Sequence, residues 1–227
     1  MIGSFWREAT WNPIMGCDPV SEGCAHCYAR AMIRRFAGRK GWPETPNGVT
    51  LFPERLEQPL RWRKPRHVFV CSMSDLFHQN VPFDFIDRVW RVMDNCPQHT
   101  FMVLTKRPAR MLDYWNRRAD IARSMGVAFS NVWLGVTAEN QQRADERIPV
   151  LLDTPAAVRF VSIEPMLGPV NLLDYMRGFG RFEQSAGLDW IIVGGETGPG
   201  ARLMRAEWAL SVAEQCTNAG VPFFFKK

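Results

Sequence analysis

The chain has 227 residues, 46% of them hydrophobic, and a net charge of +5 from 28 Lys and Arg against 23 Asp and Glu. That length suits one large α/β domain or two small ones, with enough apolar side chains for a full core, and no run of eighteen apolar residues is present, so no transmembrane span is expected. The modest basic excess permits a nucleic-acid or nucleotide partner without demanding one.

The first residues, MIGSFWREATWN, include an acidic residue and lack an apolar h-region, so they do not read as a signal peptide and a cytoplasmic location is expected. Six cysteines in that compartment point to metal binding or buried thiols rather than a disulfide framework. The segment around Thr10, Trp11 and Asn12 reads as a first strand. It runs into TWNPIMGCDPVSEGCAHCY, residues 10–28, where Cys17, Cys24 and Cys27 are separated by six and then two residues. Ser, Gly, Pro and Asp fill the gaps, which is loop composition. Three thiolates on one loop can occupy three corners of a cubane iron–sulfur cluster and leave one iron open. Two other readings stand beside this one. A zinc site would take His26 or a distant Cys71, Cys96 or Cys216 as its fourth ligand, and a disulfide between two of the three ranks last.

Tyr28 to Phe36 follows as a helix. Ala37 to Arg66 is rich in Gly and Pro and reads as a surface insertion with one short helix near Pro53 to Arg63. Its interleaved Arg61, Trp62, Arg63, Lys64 and Arg66 read either as a solvated flap or as a phosphate-contacting edge. From His67 a rhythm begins. Apolar runs at HVFVCSMSD, TFMVLTKRP, NVWLGVTAEN, AVRFVSIEPM, DWIIVGGETGPG and VPFFFKK alternate with helical segments at PFDFIDRVWRVMDNCP, Ala109 to Met125, QQRADERIPVLL and Glu207 to Ala219. Continuous apolar runs are the mark of strands buried on both faces, and their alternation with helices predicts a mainly parallel sheet. With the first strand this makes about seven βα repeats. The expectation is a single α/β domain over residues 1–227, a partial TIM-like (β/α) barrel; a flat doubly wound sheet is the alternative, disfavoured because no Gly-rich phosphate fingerprint opens the first helix.

In such a barrel the C-terminal strand ends share one mouth. They carry Ser72, Ser74 and Asp75; Thr105, Lys106 and Arg107; Thr137, Glu139 and Asn140; Ser162 and Glu164; Gly194, Gly195 and Glu196; and Lys226. Asp75 and Asn140 read as ordinary helix caps, and Lys106 and Arg107 as solvated. Glu164 and Glu196 follow apolar strands without starting helices, so each needs a cationic partner, Lys106 or Lys226, or a ligand. Glu164, Glu196 and Lys106 are therefore the candidate catalytic groups.

A cysteine triplet after the first strand of a partial parallel barrel resembles the radical S-adenosylmethionine (SAM) superfamily, whose common motif is C-x3-C-x2-C. This chain keeps the final C-x2-C and lengthens the first gap. A closer similarity covers nearly the whole chain. TWNPIMGC, GCAHCYA, SMSDLFH, LTKRP, LGVTAEN, ADERIPVLL, FVSIEPMLGP, IIVGGETGPGAR and VPFFFK resemble the phage-associated three-cysteine-motif proteins, a domain family of unknown function placed near radical SAM barrels. Its members usually run on past the last strand, so the resemblance implies a short further element after Lys227.

The resemblance implies that Cys17, Cys24 and Cys27 ligate a [4Fe–4S] cluster whose open iron binds SAM. Ser72, Met73 and Ser74 would hold the SAM amino group, and Gly194 and Gly195 would approach the adenine. Thr137, Glu139 and Asn140 would face the ribose or the methionine carboxylate, with Lys106 neutralising the latter. The function so implied is a radical SAM-type enzyme, with a nucleic-acid or nucleotide substrate favoured by the basic flap and the phage context. The alternative is a non-catalytic zinc or iron–sulfur protein that binds nucleic acid or serves a protein partner.

Overall fold

A computed structural model of the chain describes residues 9–118, 129–176 and 187–226. Seven strands form one parallel sheet in sequential order: β1 (Ala9–Trp11), β4 (His67–Val70), β5 (Thr100–Thr105), β6 (Val132–Thr137), β7 (Val158–Ile163), β8 (Trp190–Val193) and β9 (Phe223–Phe225). Every neighbouring pair is parallel, and the sheet curls into a half-barrel. The helices follow the strands in turn. They are α1 (Tyr28–Phe36), α2 (Phe83–Asp94), α3 (Pro108–Arg117), α4 (Gln141–Leu152) and α5 (Ala206–Ala219). Among the described residues, no helix is long and apolar enough to cross a membrane.

The strands read as continuous apolar runs because both faces are covered. Phe101, Val103, Leu134, Val136, Val161, Ile163, Ile191 and Val193 join the main core with the apolar sides of α2, α3, α4 and α5. The residues between them, Met102, Phe160 and Ile192, form a second cluster with Phe69, Leu104, Trp133, Trp190 and Phe224. Alternation of side chains along a strand puts this second set on the other, concave face. Gly135 serves that face, because a Cβ there would lie 2.5 Å from the Phe160 ring. The aromatic ring crosses β6 where a side chain would otherwise stand. α2 buries Phe85, Ile86, Val89, Trp90 and Met93 along one stripe, and α5 stops at Gly220, whose φ of 66° suits glycine.

The structure departs from the sequence expectations in three places. The Ala37–Arg66 segment holds two single-turn helices, Pro53–Arg55 and Pro59–Arg61, rather than one short helix. It also contributes β3 (Thr50–Leu51), which pairs antiparallel with β2 (Ile14–Met15) at the start of the cysteine loop. Two-residue strands carry too little periodicity to be read from sequence. α3 ends at Arg117, and the expected continuation to Met125 lies outside the described residues. Cys71 lies just past β4 rather than within it, at a φ of 56°.

The outer layer is tied by one carboxylate. Asp87 on α2 accepts from the Tyr114 hydroxyl at 2.8 Å and from Arg118 Nε at 2.7 Å. The Arg118 hydrogen bonds hold its carboxyl below the ordinary range. Tyr114 is fully buried, so Asp87→Ala strands its hydroxyl and is expected to cost roughly 1–3 kcal/mol at neutral pH. A depressed carboxyl contributes stability above its unfolded pKa and loses it as pH falls through the folded one. The deficit of the variant should therefore shrink below about pH 4, as denaturant unfolding at both pH values will read.

Candidate functional site

The cysteine loop lies over the C-terminal ends of the strands and is gripped from several of them. The Asn12 side chain accepts from Met73 N at 3.0 Å and Ser72 Oγ at 3.1 Å. Met73 O in turn accepts from Gly16 N at 3.0 Å, and Ser74 Oγ donates to Gly16 O at 2.5 Å. Gly16 has a φ of 86°, and a Cβ there would meet Gly48 O at 2.7 Å, so only glycine lets the loop and the insertion pass. The Tyr28 hydroxyl donates to Ser72 O at 2.6 Å. Ser72, Met73 and Ser74 thus hold the loop's entrance.

At the centre, Glu139 is completely buried. Its Oε1 accepts from Ser21 Oγ at 2.6 Å, and its Oε2 from Arg147 Nη1 at 2.9 Å. The Lys106 ammonium stands 3.7 Å from Oε1. Arg147, almost buried on α4, also donates to Thr137 O at 2.8 Å. Gly23 packs directly on Glu139, and a Cβ at that position would overlap the carboxylate. Asn140 caps α4, as expected, by accepting from Arg143 N at 3.0 Å. Its Nδ2 also donates to Glu22, which Arg143 Nη2 meets at 3.0 Å. The Glu22 carboxyl is held at about 2 by its own backbone N–H and then by Arg143.

Further round the mouth, Glu196 receives Arg202 through the backbone N–H and Nε, both at 2.9 Å, and through Nη2. It also lies 2.8 Å from His26 Nδ1. Arg202 hydrogen bonds hold the Glu196 carboxyl at about 2, and Arg202 Nη2 reaches back to Glu22 O at 3.0 Å. This corrects the expectation that Lys106 or Lys226 would neutralise Glu196. The partners are Arg202, six residues on, and His26 in the cysteine loop. Lys226 does pair with Glu164, its Nζ lying 2.7 and 2.6 Å from the two carboxylate oxygens. Gly194 lies against the same carboxyl group, with a Cβ position 3.4 Å from it.

Cys17 lies beside the end of β5. Burial, with the Asp75 charge behind it, pushes its pKa up to about 11, and Arg107 pulls the other way. Arg107 Nη1 points at Cys17 Sγ, 3.4 Å away, and at Asp75 Oδ2, 3.1 Å away, while Nη2 donates to Asp18 O at 2.8 Å. Arg107 is therefore not a solvated end of β5. Nor does Asp75 cap a helix, since the next one, α2, begins only at Phe83. Asp75 accepts from Phe77 N, Thr105 Oγ1 and Lys106 N as well as from Arg107. Asp18 accepts from Gly48 N at 2.8 Å, which lowers its pKa, and from His78 Nε2 at 3.0 Å. His78 Nδ1 accepts from Asn80 N, which places the ring proton on Nε2.

Cys17, Cys24 and Cys27 are all unpaired and half-exposed, whereas Cys71, Cys96 and Cys216 are unpaired and buried. Among the described residues, no three His, Cys, Asp or Glu side chains converge to hold one metal ion. The donor set suits soft-metal chemistry. Three thiols on one loop are donors that iron–sulfur clusters and zinc both take. A cleft lined by Gln141, Val170, Leu173 and Gln215 lies against α4 and α5, on the helical layer rather than at the loop.

Gly23→Ala tests the central grip. Glu139 is locked by Ser21 and Arg147 and cannot swing away, so the loop must lift. Overpacking of this kind costs about 1–3 kcal/mol. Helix content should stay native by circular dichroism while Cys24 and Cys27 become alkylated roughly tenfold faster.

No curated protein matches the chain, and no solved structure matches it. A family described as protein of unknown function (DUF5131) matches residues 4–227, nearly the full length, and the chain belongs to that family.

Proposed function

We propose that Cys17, Cys24 and Cys27 hold a [4Fe–4S] cluster and that the protein is a radical SAM-type enzyme acting on a nucleic acid or nucleotide, in the phage-associated lineage that its motifs resemble. The observation that carries this reading is the contrast among the cysteines. Three half-exposed thiols share one loop braced across the mouth of a parallel half-barrel, and the other three are buried. A mouth of this kind is where barrel enzymes keep their chemistry.

Bound there, the cluster would supply the electron that cleaves SAM reductively. The protein's own groups do the rest. Glu139, Glu196 and Arg147 keep the loop in place. Ser72, Met73 and Ser74 lie beside its entrance, and Gly194 and Gly195 follow β8, with Gly194 packed against the Glu164 carboxyl, so a ligand approaching there would meet backbone and that carboxylate. Glu164, Lys226 and Lys106 are the charged groups best placed to meet a substrate, each being about a quarter exposed. Arg61, Arg63 and Lys64 are exposed on the insertion and supply cations for phosphates, with Arg66 stacked 5.2 Å from the Trp62 ring.

Anaerobic reconstitution with iron and sulfide should give a brown protein with about four irons per chain. Alanine at Cys17, Cys24 or Cys27 should abolish or cripple iron uptake, and alanine at Cys71, Cys96 or Cys216 should spare it. Equal loss from both groups would sink the three-ligand reading. Calorimetric titration of the loaded protein then tests SAM itself, and a full cluster with no SAM binding would leave the enzyme assignment unsupported.

A separate measurement addresses the substrate class. Neutralising Arg61, Arg63 and Lys64 together should weaken DNA or RNA binding uniformly across sequences. The slope of log affinity against log salt should flatten by roughly three. Absence of any affinity at low salt would remove nucleic acid from the reading.

A further inference from the structure

Arg107 stands where β5 hands over to α3. Pro108 opens the helix directly after it, so the backbone at this point is stiff. Its side chain is 13% exposed and spans three acceptors: the Cys17 sulfur at 3.4 Å, Asp75 Oδ2 at 3.1 Å and Asp18 O at 2.8 Å. Asp75 is itself fixed by Thr105 Oγ1 at 2.7 Å, Lys106 N at 3.0 Å and Phe77 N at 2.9 Å. The guanidinium therefore has no freedom to leave the sulfur without abandoning a buried carboxylate. Neither a lysine nor a neutral side chain could make all three contacts, because only the planar fork reaches them together.

A donor and a fixed positive charge beside a ligand sulfur act on an iron–sulfur cluster in a known direction. Hydrogen bonds to sulfur and local charge set its potential, and a cation favours the reduced, more anionic state. We propose that Arg107 is a positioning residue for the cluster, holding the Cys17 sulfur by a hydrogen bond and raising the cluster's reduction potential. The inference rests on the cluster reading above and adds to it the residue that tunes the site. Among the described residues, Arg107 is the cation in contact with a loop thiol.

The test compares wild type, Arg107→Lys and Arg107→Gln, each reconstituted anaerobically with iron and sulfide. Iron content, loss of iron to a chelator and midpoint potential are measured, with circular dichroism to check folding. Arg107→Gln should lose iron faster and show a more negative potential, and Arg107→Lys should fall between it and wild type. A loaded Arg107→Gln with the wild-type potential would overturn the role of Arg107, since a purely structural clip would leave the potential alone. If Arg107→Gln does not fold, Arg107→Lys decides: a more negative potential supports the role, and an unchanged one overturns it. Failure of the wild type to take up iron removes the cluster reading itself, and this role with it, which is a different result from a loaded wild type with an indifferent variant.

Discussion

The cysteine loop rests on a carboxylate that has no access to water. Glu139 is fully buried at the end of β6, and an unpaired charge there would cost several kcal/mol. Arg147 and Ser21 each take one of its oxygens, and Lys106 stands close by. Arg147 is drawn from the buried side of α4 and also donates to Thr137 O. One ion pair therefore joins the helix, the strand and the loop. Removing either Glu139 or Arg147 strands a buried charge, so the arrangement is specific even though a buried pair adds little net stability of its own. Gly23 completes it by letting the loop backbone settle on the carboxylate.

Around this centre the clamps are almost all arginines. Arg30 donates to Cys17 O at 2.7 Å, Arg107 to Asp18 O, Arg143 to the Glu22 carboxylate and Arg202 to Glu22 O and Glu196. A guanidinium can satisfy a carboxylate and a backbone carbonyl together, which an irregular loop requires because its own carbonyls have no helical or sheet partners. The loop backbone is therefore ordered by the protein's own contacts. Ligand binding there need not supply the free energy of ordering the loop, unlike the small metal domains that fold only when loaded.

The fold was legible because the central strands, β5 to β8, are covered on both faces and leave continuous apolar runs, and the intervening helices keep a clear period. Tyr28–Phe36 and Gln141–Leu152 fall where the sequence places them. The strand-end groups were also readable as a set, since polar residues after apolar runs stand out. Their partners were not. Arg107, Arg147 and Arg202 look solvated in a linear reading, because nothing local tells a buried cation from an exposed one. Arg147 did carry a signal. It shares a helix face with Ala144, Ile148 and Leu151, all buried, and a cation in an apolar stripe needs an anion opposite. Asp75 was misread because Ser, Asp and Asn cap helices so often that a loop hub resembles a cap. β2 and β3 were missed because pairing across about 35 residues of Gly- and Pro-rich chain leaves no local pattern.

The charged pairs at the mouth are not equivalent, and the difference bears on which of them can meet a ligand. Glu139–Arg147 is buried on both sides and holds the loop. The Glu196 side chain is 4% exposed and bound to Arg202 and His26, so it too is committed to the loop. Glu164 and Lys226 are 25% and 26% exposed. Their hydrogen bonds to one another join the end of β7 to the end of β9, across β8. Water already reaches this pair, so exchanging one partner for a ligand group carries a smaller desolvation penalty than at Glu139. Gly194, against the Glu164 carboxyl, keeps side-chain bulk away from the same spot. Removing charge at Glu139 or Glu196 acts on the loop and on everything the loop carries, whereas removing it at Glu164 acts at the mouth and leaves the braces standing.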